Sequence, residues 1–168
     1  MIRLANDSDC NNLAILATLV WLNTYAKEGI RQDYSEYVLS NFTPNYFRSL
    51  LADKGYCLWV CEEDEILQGF ALVNMTSQCP TDSLKPDYSD LFATNSGYEV
   101  EKLYVDDRHQ GKGIGKRLLQ VVEQSLGEPY WLYTWIENDS NGFYQHLGLS
   151  NVGKLAFDFS GHTIDNNL

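Results

Sequence analysis

The spacing of apolar residues changes several times along the chain, and each spacing predicts a different element. Residues 2–4 give a short first strand, and the polar run at 6–9 behind it offers helix N-caps. A first helix is predicted from apolar residues that recur three and four positions apart, at Leu13, Leu16, Ala17, Val20 and Trp21. A second helical pattern covers residues 36–51 with a break at Pro44, since proline disrupts a helix interior.

The rest of the chain alternates between β-rich and helical patterns. Residues 56–61 and 66–75 are β-rich and predict a hairpin with an acidic tip at 62–65. A central strand ending near Val105 then leads through a glycine-rich turn into an amphipathic helix. The last predicted elements are a strand over 130–136, a helix over 138–147 and a strand over 152–159.

This order, βααβββαβαβ, predicts a mixed α/β fold in one domain over residues 1–168. No internal repeat or linker interrupts it. Residues 76–96 are rich in Ser, Thr, Asp and Pro. A loop of that length in a compact domain is usually functional or disordered, and its role is left open.

Three alternating glycines, Gly111, Gly113 and Gly115, lie in the turn after the central strand. Glycine lets backbone N–H groups approach a ligand closely, and those of a first helical turn have no partner inside the helix. With the positive end of the helix dipole, this arrangement favours a bound phosphate. The P-loop and the dinucleotide-binding pattern are both excluded, because Lys116 stands where each needs its next glycine.

Basic residues gather around this turn, although the formal net charge of the chain is −11. Five of the 12 Lys and Arg residues fall there: Lys102, Arg108, Lys112, Lys116 and Arg117. A local basic patch on an acidic protein indicates one phosphorylated ligand rather than general affinity for polyanions. The acidic balance disfavours nucleic acid, which needs a basic face.

Composition narrows the class of protein further. The chain lacks the run of about 18 apolar residues that a membrane-spanning helix needs, and its start lacks the pattern of a signal peptide. The four cysteines show neither C-x-x-C spacing nor a histidine cluster, so we expect no metal site. These features together predict a cytoplasmic protein with no membrane partner.

The run Gln110-x-x-Gly113-x-Gly115, in the segment VEKLYVDDRHQGKGIGKRLL, resembles the acetyl-CoA signature of the GNAT superfamily of N-acetyltransferases. The resemblance is to its small-molecule, bacterial type. It implies the GNAT fold, which has a mixed, mostly antiparallel central sheet flanked by helices, and acetyl-CoA as cosubstrate. The implied cofactor contacts are Leu103, Val105, Arg108, Gln110, Gly111, Lys112, Gly113, Gly115 and Lys116. The first two would offer strand backbone to pantetheine, and the glycine turn would hold the pyrophosphate.

Glu99 and Glu101 are the candidate general bases. An alkylammonium has a pKa near 10.4, so at neutral pH few amines are free nucleophiles and a base is needed. The two residues lie two apart on the central strand, and strict alternation puts them on one face. Family members often place a carboxylate here, with Glu99 at the matching position. A bulge in this strand would change the faces, and a salt-bridged pair near Lys102 or Arg108 is the structural alternative.

Tyr144 is the candidate acid. The segment FYQHLGL, from Phe143, resembles the family segment whose tyrosine donates to the CoA sulfur. A phenol can protonate a thiolate, although an aromatic core residue would also suit this helix. The sequence departs from the family upstream: Glu137 and Ser140 replace the usual Asn and Ala. The start of that helix and a CoA contact by Asn138 are therefore left open.

The amine that accepts the acetyl group is the part of the proposed reaction that the sequence determines least. In the superfamily the acceptor groove lies between the first two helices and the loop before the central strand. Here those helices carry aromatic residues: Trp21, Tyr25, Tyr34, Tyr37, Phe42, Tyr46 and Phe47. Aromatic faces suit a cation.

The resemblance thus implies direct acetyl transfer to a primary amine, led by a small cationic amine of polyamine or aminoglycoside type. A protein N-terminus or lysine, and a non-catalytic CoA-binding module, are the alternatives. Many relatives dimerise, so a homodimer is a candidate assembly.

Overall fold

The structure is a computed structural model that describes residues 1–88, 90, 97–127 and 129–168. The helices are α1 Cys10–Tyr25, α2 Gln32–Asn41, α3 Pro44–Ala52, α4 Ile114–Leu126 and α5 Asn141–His146. The strands are β1 Ile2–Leu4, β2 Tyr56–Glu63, β3 Ile66–Asn74, β4 Tyr98–Val105, β5 Tyr130–Trp131, β6 Thr134–Trp135, β7 Lys154–Phe159 and β8 His162–Asn167.

Two sheets form from these strands. The larger has the order β1-β2-β3-β4-β5 and is antiparallel except between β4 and β5. The smaller has the order β6-β8-β7 and is antiparallel throughout. The predicted mixed α/β class with a mostly antiparallel sheet is therefore confirmed.

Helices cover both faces of the larger sheet, and each face has its own core. On one face α1, α2 and α3 pack against Leu58, Val60, Phe70 and Leu72. On the other, α4 packs against alternate residues of the same strands, among them Ala71. Successive residues of a strand point to opposite faces, so the buried runs of β2 and β3 supply both cores at once.

Local sequence explains where several elements begin. The Asn6 side chain caps the short turn before α1, and Asp9 completes a capping box with the Asn6 backbone. The Arg3 guanidinium binds the carboxylates of Asp9 and Glu62 at 2.7 and 2.8 Å, which joins β1, α1 and β2. This contact lowers the pKa of Asp9. The acidic tip between β2 and β3 is a tight turn, confirming the predicted hairpin.

Three predicted elements were wrong in their bounds. The break predicted at Pro44 is confirmed, because Thr43 caps a new helix there, but the helix before it begins earlier than predicted, at Gln32. Residues 130–136 are two short strands in different sheets rather than one. The strand predicted over 152–159 begins at Lys154. It pairs with a following strand, β8, that was not predicted.

The long polar loop at 76–96 is described only in part. It contains short helical turns at Thr81–Ser83 and Pro86–Tyr88. Residues 89 and 91–96 lie outside the described residues, so the role of this loop stays a prediction, as does the single domain over 1–168. Within the described ranges, no helix has both the length and the apolar character that crossing a membrane requires.

Gly69 on β3 lets the backbone of β4 approach closely. A Cβ at this position would lie 2.8 Å from the Tyr104 carbonyl oxygen, a backbone atom that cannot turn away. We expect Gly69→Ala to lower the free energy of unfolding by about 1–3 kcal/mol, the usual penalty for overpacking. Urea unfolding measures this change.

Gly142 provides the matched control. It lies in α5, and nothing is within 4 Å of the position of its Cβ. Gly142→Ala should raise the free energy of unfolding by about 0.4–1 kcal/mol, because alanine restricts the unfolded chain. Equal effects of the two substitutions would contradict the close approach at Gly69.

Candidate active site

The larger sheet opens on one side of β4. In the described part of the chain, β4 pairs with β5 at two positions, Tyr98 with Tyr130 and Glu99 with Trp131. The chain then crosses into the smaller sheet at β6. From Val100 to Val105, the edge of β4 that faces away from β3 is left without a strand partner, and a strand edge of this kind can pair with an extended ligand.

A cleft of about 1140 Å³ occupies this opening. Its walls are β4, the turn before α4, the C-terminal end of α1, α5, and the β7–β8 hairpin. The cleft collects most of the predicted site residues: Glu99, Glu101, Leu103, Val105, Gln110, Gly111, Gly113, Gly115, Lys116, Asn138 and Tyr144. Residues far apart in sequence therefore share one cavity.

Gly111 and Gly113 give the turn before α4 its backbone conformation. Both have φ of +73°, in the left-handed region, and nothing lies within 4 Å of where a Cβ would be. The glycines are therefore needed for conformation and not for lack of space. Gly113 is the N-cap of α4, so the first N–H groups of the helix have no partner within it.

Gly115 has a different physical role. It is buried in the first turn of α4, and a Cβ there would lie 3.1 Å from Cζ of Phe143 on α5. The missing side chain thus lets α5 pack closely against the start of α4. Phe143 precedes Tyr144, and their rings are 5.2 Å apart.

A bulge in β4 sets the direction of the two glutamates. Lys102 pairs with Leu72 and Val100 pairs with Val73, so Glu101 is the extra residue. Glu101 lies in reach of the Tyr46 hydroxyl, on the face covered by α1–α3, and the Lys102 ammonium lies 5.9 Å from the centre of the same ring. The bulge therefore turns Lys102 to the side of the sheet where Glu101 lies.

Glu99 is the buried carboxyl of the site. It is 6% exposed. Burial raises its pKa, a hydrogen bond with Ser77 lowers it, the charge of Glu101 raises it, and the charge of Lys102 lowers it. These influences leave Glu99 more basic than an ordinary glutamate.

Glu101 is committed to an ion pair. Lys102 Nζ donates to its Oε1 at 2.6 Å, and both side chains are largely buried. This charge-assisted contact satisfies the carboxylate. It is the salt bridge with Lys102 that was predicted as the structural alternative. The two candidate bases therefore differ, since Glu99 is not held by a cation in this way.

Tyr144 lies across the cleft on α5, among the apolar residues that pack against α4. Burial raises the pKa of its phenol, so the hydroxyl keeps its proton at neutral pH. It is available as a donor.

The remaining residues predicted to contact the cofactor are placed less favourably for binding it. Asn138 lines the cleft, but its Oδ1 accepts from Ser140 N at 2.9 Å, before α5 starts at Asn141. Arg108 and Lys112 are not among the cleft residues, and the Arg108 guanidinium binds Asp106 at 2.6 Å. Their assignment to the cofactor stays a prediction. Among the described residues, no three His, Cys, Asp or Glu side chains group as metal ligands do.

Asp107 links the glycine turn to α1. Its Oδ1 accepts from Gln110 Nε2 at 2.8 Å and its Oδ2 accepts from Asn23 Nδ2 at 2.7 Å. On the opposite wall, Lys27 Nζ contacts Asp139 at 3.2 Å. The segment that ends α1 therefore spans the cleft from the turn to α5.

The aromatic side chains of α1 and α2 divide into two groups. Trp21, Tyr25 and Tyr37 line the cleft, as predicted for the acceptor groove. The others belong to the core beneath: Tyr34, Phe42, Tyr46 and Phe47.

Sequence reasoning missed the wall formed by Tyr133, Phe157 and Phe159. Two of these, Phe157 and Phe159, lie on β7 with Asp158 between them. Alternate strand residues share one face, so this pattern is the signal that could have indicated an aromatic strand face.

The cleft fits the cosubstrate that the family signature implies. The open space beside Gly111 and Gly113 adjoins the free N–H groups of α4, which suits a pyrophosphate. The unpaired edge of β4 leads from there towards Glu99 and suits the amide-bearing pantetheine arm.

Comparison with known proteins agrees with this geometry. A sequence model described as "Acetyltransferase (GNAT) family" matches residues 7–149. The chain is 27% identical over 137 residues to N-acetyltransferase 8B of Homo sapiens, which covers 79% of this chain and 55% of that protein. It is 34% identical over 87 residues to the spermine/spermidine N(1)-acetyltransferase of Bacillus subtilis (strain 168), which covers 48% of this chain and 55% of that protein. The chain spans about half the length of these two relatives.

The fold has similar solved structures. PaiA N-acetyltransferase from Thermoplasma acidophilum, crystallised with coenzyme A, superposes with a TM-score of 0.69 at 16% identity. The superposition covers 99% of this chain and 96% of that one. At this identity the likeness concerns the fold alone. The family match extends over most of the sequence, and the chain belongs to the acetyltransferase (GNAT) family.

Proposed function

We propose that this protein is an N-acetyltransferase that uses acetyl-CoA to acetylate a primary amine of a small cationic molecule, by direct transfer. One observation carries the proposal: a buried carboxyl, Glu99, and a partly buried phenol, Tyr144, line the same cleft as the glycine turn. A base, an acid and an anion site are the three features that acetyl transfer from a thioester to an amine requires.

Glu99 acts as the general base. The substrate reaches the cleft as an ammonium, which must lose a proton before its nitrogen can attack a carbonyl carbon. Burial raises the pKa of Glu99, which makes its carboxylate a stronger base than that of an ordinary glutamate. Glu101 is the weaker candidate, because its carboxylate is already engaged in an ion pair with Lys102.

Tyr144 acts as the general acid. It lies on the opposite wall from Glu99, and its hydroxyl keeps its proton. A hydrogen bond from a neutral phenol stabilises the negative charge that develops on a departing thiolate.

Acetyl-CoA, when bound, supplies an activated acetyl group as a thioester. The N–H groups at the start of α4 and Lys116 would hold its phosphates. Leu103 and Val105 would offer backbone N–H and C=O groups to its pantetheine arm. Both supports are rigid, so they would fix the direction in which the acetyl group enters the cleft.

The small cationic amine is supported by chemistry and by similarity. Trp21, Tyr25 and Tyr37 line the cleft together with Glu99 and Glu101, and aromatic rings near carboxyls form an environment that attracts ammonium groups. One relative is described as a spermine/spermidine N(1)-acetyltransferase. A screen of CoA-thiol release over polyamines, aminoglycosides and short peptides tests this choice, and CoA binding without release for any amine would favour a non-catalytic module. Cytoplasmic location and a homodimer stay predictions.

We expect Glu99→Gln to lower kcat by about 10²–10⁴-fold, the usual contribution of a positioned base. Wild-type activity should fall with decreasing pH as Glu99 becomes protonated, at a pKa above that of an ordinary glutamate. The variant should lack this limb of the pH profile. Thiol release under saturating acetyl-CoA measures both.

Glu101→Gln is the matched control, and its effect should be smaller. Stability gives a second measurement. Because the pKa of Glu99 is raised by folding, wild-type stability should decrease as pH rises through that pKa, whereas Glu99→Gln should not show the decrease. If the activity of Glu99→Gln fell with decreasing pH as fully as that of the wild type, the assignment of Glu99 as the base would be refuted.

Tyr144→Phe removes the proposed acid while keeping the ring. We expect kcat to fall by about 10²-fold, with the KM for acetyl-CoA nearly unchanged, since only the departing thiolate loses its donor. Steady-state kinetics with the same amine measure the effect. Tyr34→Phe, in the core outside the cleft, should behave as wild type. Equal rates for Tyr144→Phe and wild type would show that another group protonates the thiol.

Gly113→Ala forces a side chain into a left-handed backbone position, which costs about 1–2 kcal/mol. We expect the turn to shift and the Kd for coenzyme A, measured by calorimetry, to rise by about tenfold. Gly127→Ala is the control, because Gly127 also has positive φ and caps the other end of α4, away from the cleft. Comparable losses of affinity in both variants would mean that strain in α4, and not the turn, governs binding.

A further inference from the structure

Aromatic rings form the wall of the cleft on the acceptor side. The rings belong to Trp21, Tyr25, Tyr37, Tyr133, Phe157 and Phe159. Most of them are engaged with one another. Trp21 is 7% exposed and stacks on Tyr37 with centroids 4.9 Å apart, and Phe159 packs against both rings.

Tyr133 and Phe157 form an exception to this packing. Their rings are 4.9 Å apart, and the two residues remain 38% and 42% exposed. Tyr133 lies between β5 and β6, where the sheets divide, and Phe157 lies on β7. An uncovered pair of large rings inside a concave site offers a surface on which a ligand can bury apolar atoms.

Glu99 on β4 pairs with Trp131 on β5, and Tyr133 follows Trp131 by two residues, so the ring pair lies in the same part of the cleft as the proposed base. Burial raises the pKa of Tyr133 to about 12, and the charges of Glu99 and Glu101 raise it as well. The phenol is therefore neutral, and its surroundings are shared with both carboxyls. An amine whose nitrogen meets Glu99 would place its neighbouring carbons beside Tyr133.

The charges of the cleft restrict what else the acceptor can carry. Among the described carboxylates that line it, Glu101 is paired with Lys102 and Asp139 with Lys27. Asp107 already accepts from two amide side chains. Asp158, between Phe157 and Phe159, accepts from the Gly161 N–H at 3.3 Å. Each described carboxylate that lines the cleft, other than Glu99, therefore already has one of these partners within the protein.

We propose that the Tyr133–Phe157 ring pair is the specificity surface for the acceptor and holds a hydrocarbon segment adjacent to the reacting amine. The proposal rests on the function proposed above and narrows its substrate class. Linear alkylamines and polyamines carry such a segment. Amino sugars carry hydroxyl groups on the adjacent carbons, and these groups would lose water against the rings without gaining hydrogen bonds.

Two related ligands test this narrower substrate class directly. Putrescine and its singly hydroxylated analogue differ by one hydroxyl on the carbon chain. Calorimetric titration into protein saturated with coenzyme A should give a Kd about tenfold or more lower for putrescine. Glucosamine should bind more weakly than either ligand.

Phe157→Ser should remove this preference. We expect its Kd for putrescine to rise by about tenfold and the two ligands to become nearly equivalent, while the Kd for coenzyme A stays at the wild-type value. Ile66→Ser is the matched control, since Ile66 is 54% exposed on β3 and lies outside the cleft. It should keep the wild-type preference.

Binding and turnover separate the two proposals. Equal affinity for the two ligands in wild-type protein, or an unchanged Kd for putrescine in Phe157→Ser, would overturn the role of the ring pair even if amines are acetylated. Absence of CoA-thiol release with every amine would instead overturn the enzymatic function, whatever the titrations give.

Discussion

The separation of β4 from β5 is the constraint on which the site depends. Two residue pairs join these strands, and each gap in a sheet leaves backbone N–H and C=O groups that need partners. Here the exposed edge of β4 begins directly after Glu99, so a ligand that pairs with it is guided to the base. Extending β5 by a few residues would satisfy the strand and close the cleft.

The buried carboxyl of Glu99 follows from the same arrangement. Glutamate is unfavourable inside a sheet, and burial of a charge destabilises the fold unless it is paired. The bulge resolves this for Glu101 by turning Lys102 towards it, whereas among the described residues no cation forms an ion pair with Glu99. One strand thus holds a neutralised pair beside a carboxyl of raised pKa. This difference is the reason for proposing Glu99, rather than Glu101, as the general base, since perturbed carboxyls are common at functional sites.

Much of the fold could be predicted because it is encoded locally. The hairpin at Glu62–Glu65, the strand before the glycine turn and the amphipathic α4 all have strong patterns over short distances. The smaller sheet could not be predicted in this way. Its strand β6 has two residues, and its strand β8 reads HTIDNN, which lacks apolar alternation. These two strands form because tertiary partners pair with them. The strand that carries Phe157 and Phe159 was predicted, but without its partners the side of the cleft that it lines could not be assigned.

The glycine signature combines two physical requirements that a motif does not distinguish. Gly111 and Gly113 supply left-handed backbone in open space, where the cosubstrate phosphates would bind. Gly115 instead admits the ring of Phe143 against α4, and Phe143 is followed by Tyr144. A side chain at position 115 would therefore displace α5 and its phenol rather than block the phosphates. The anion site and the candidate acid are consequently one packing unit, which explains how a six-residue helix holds a reactive side chain in a fixed place.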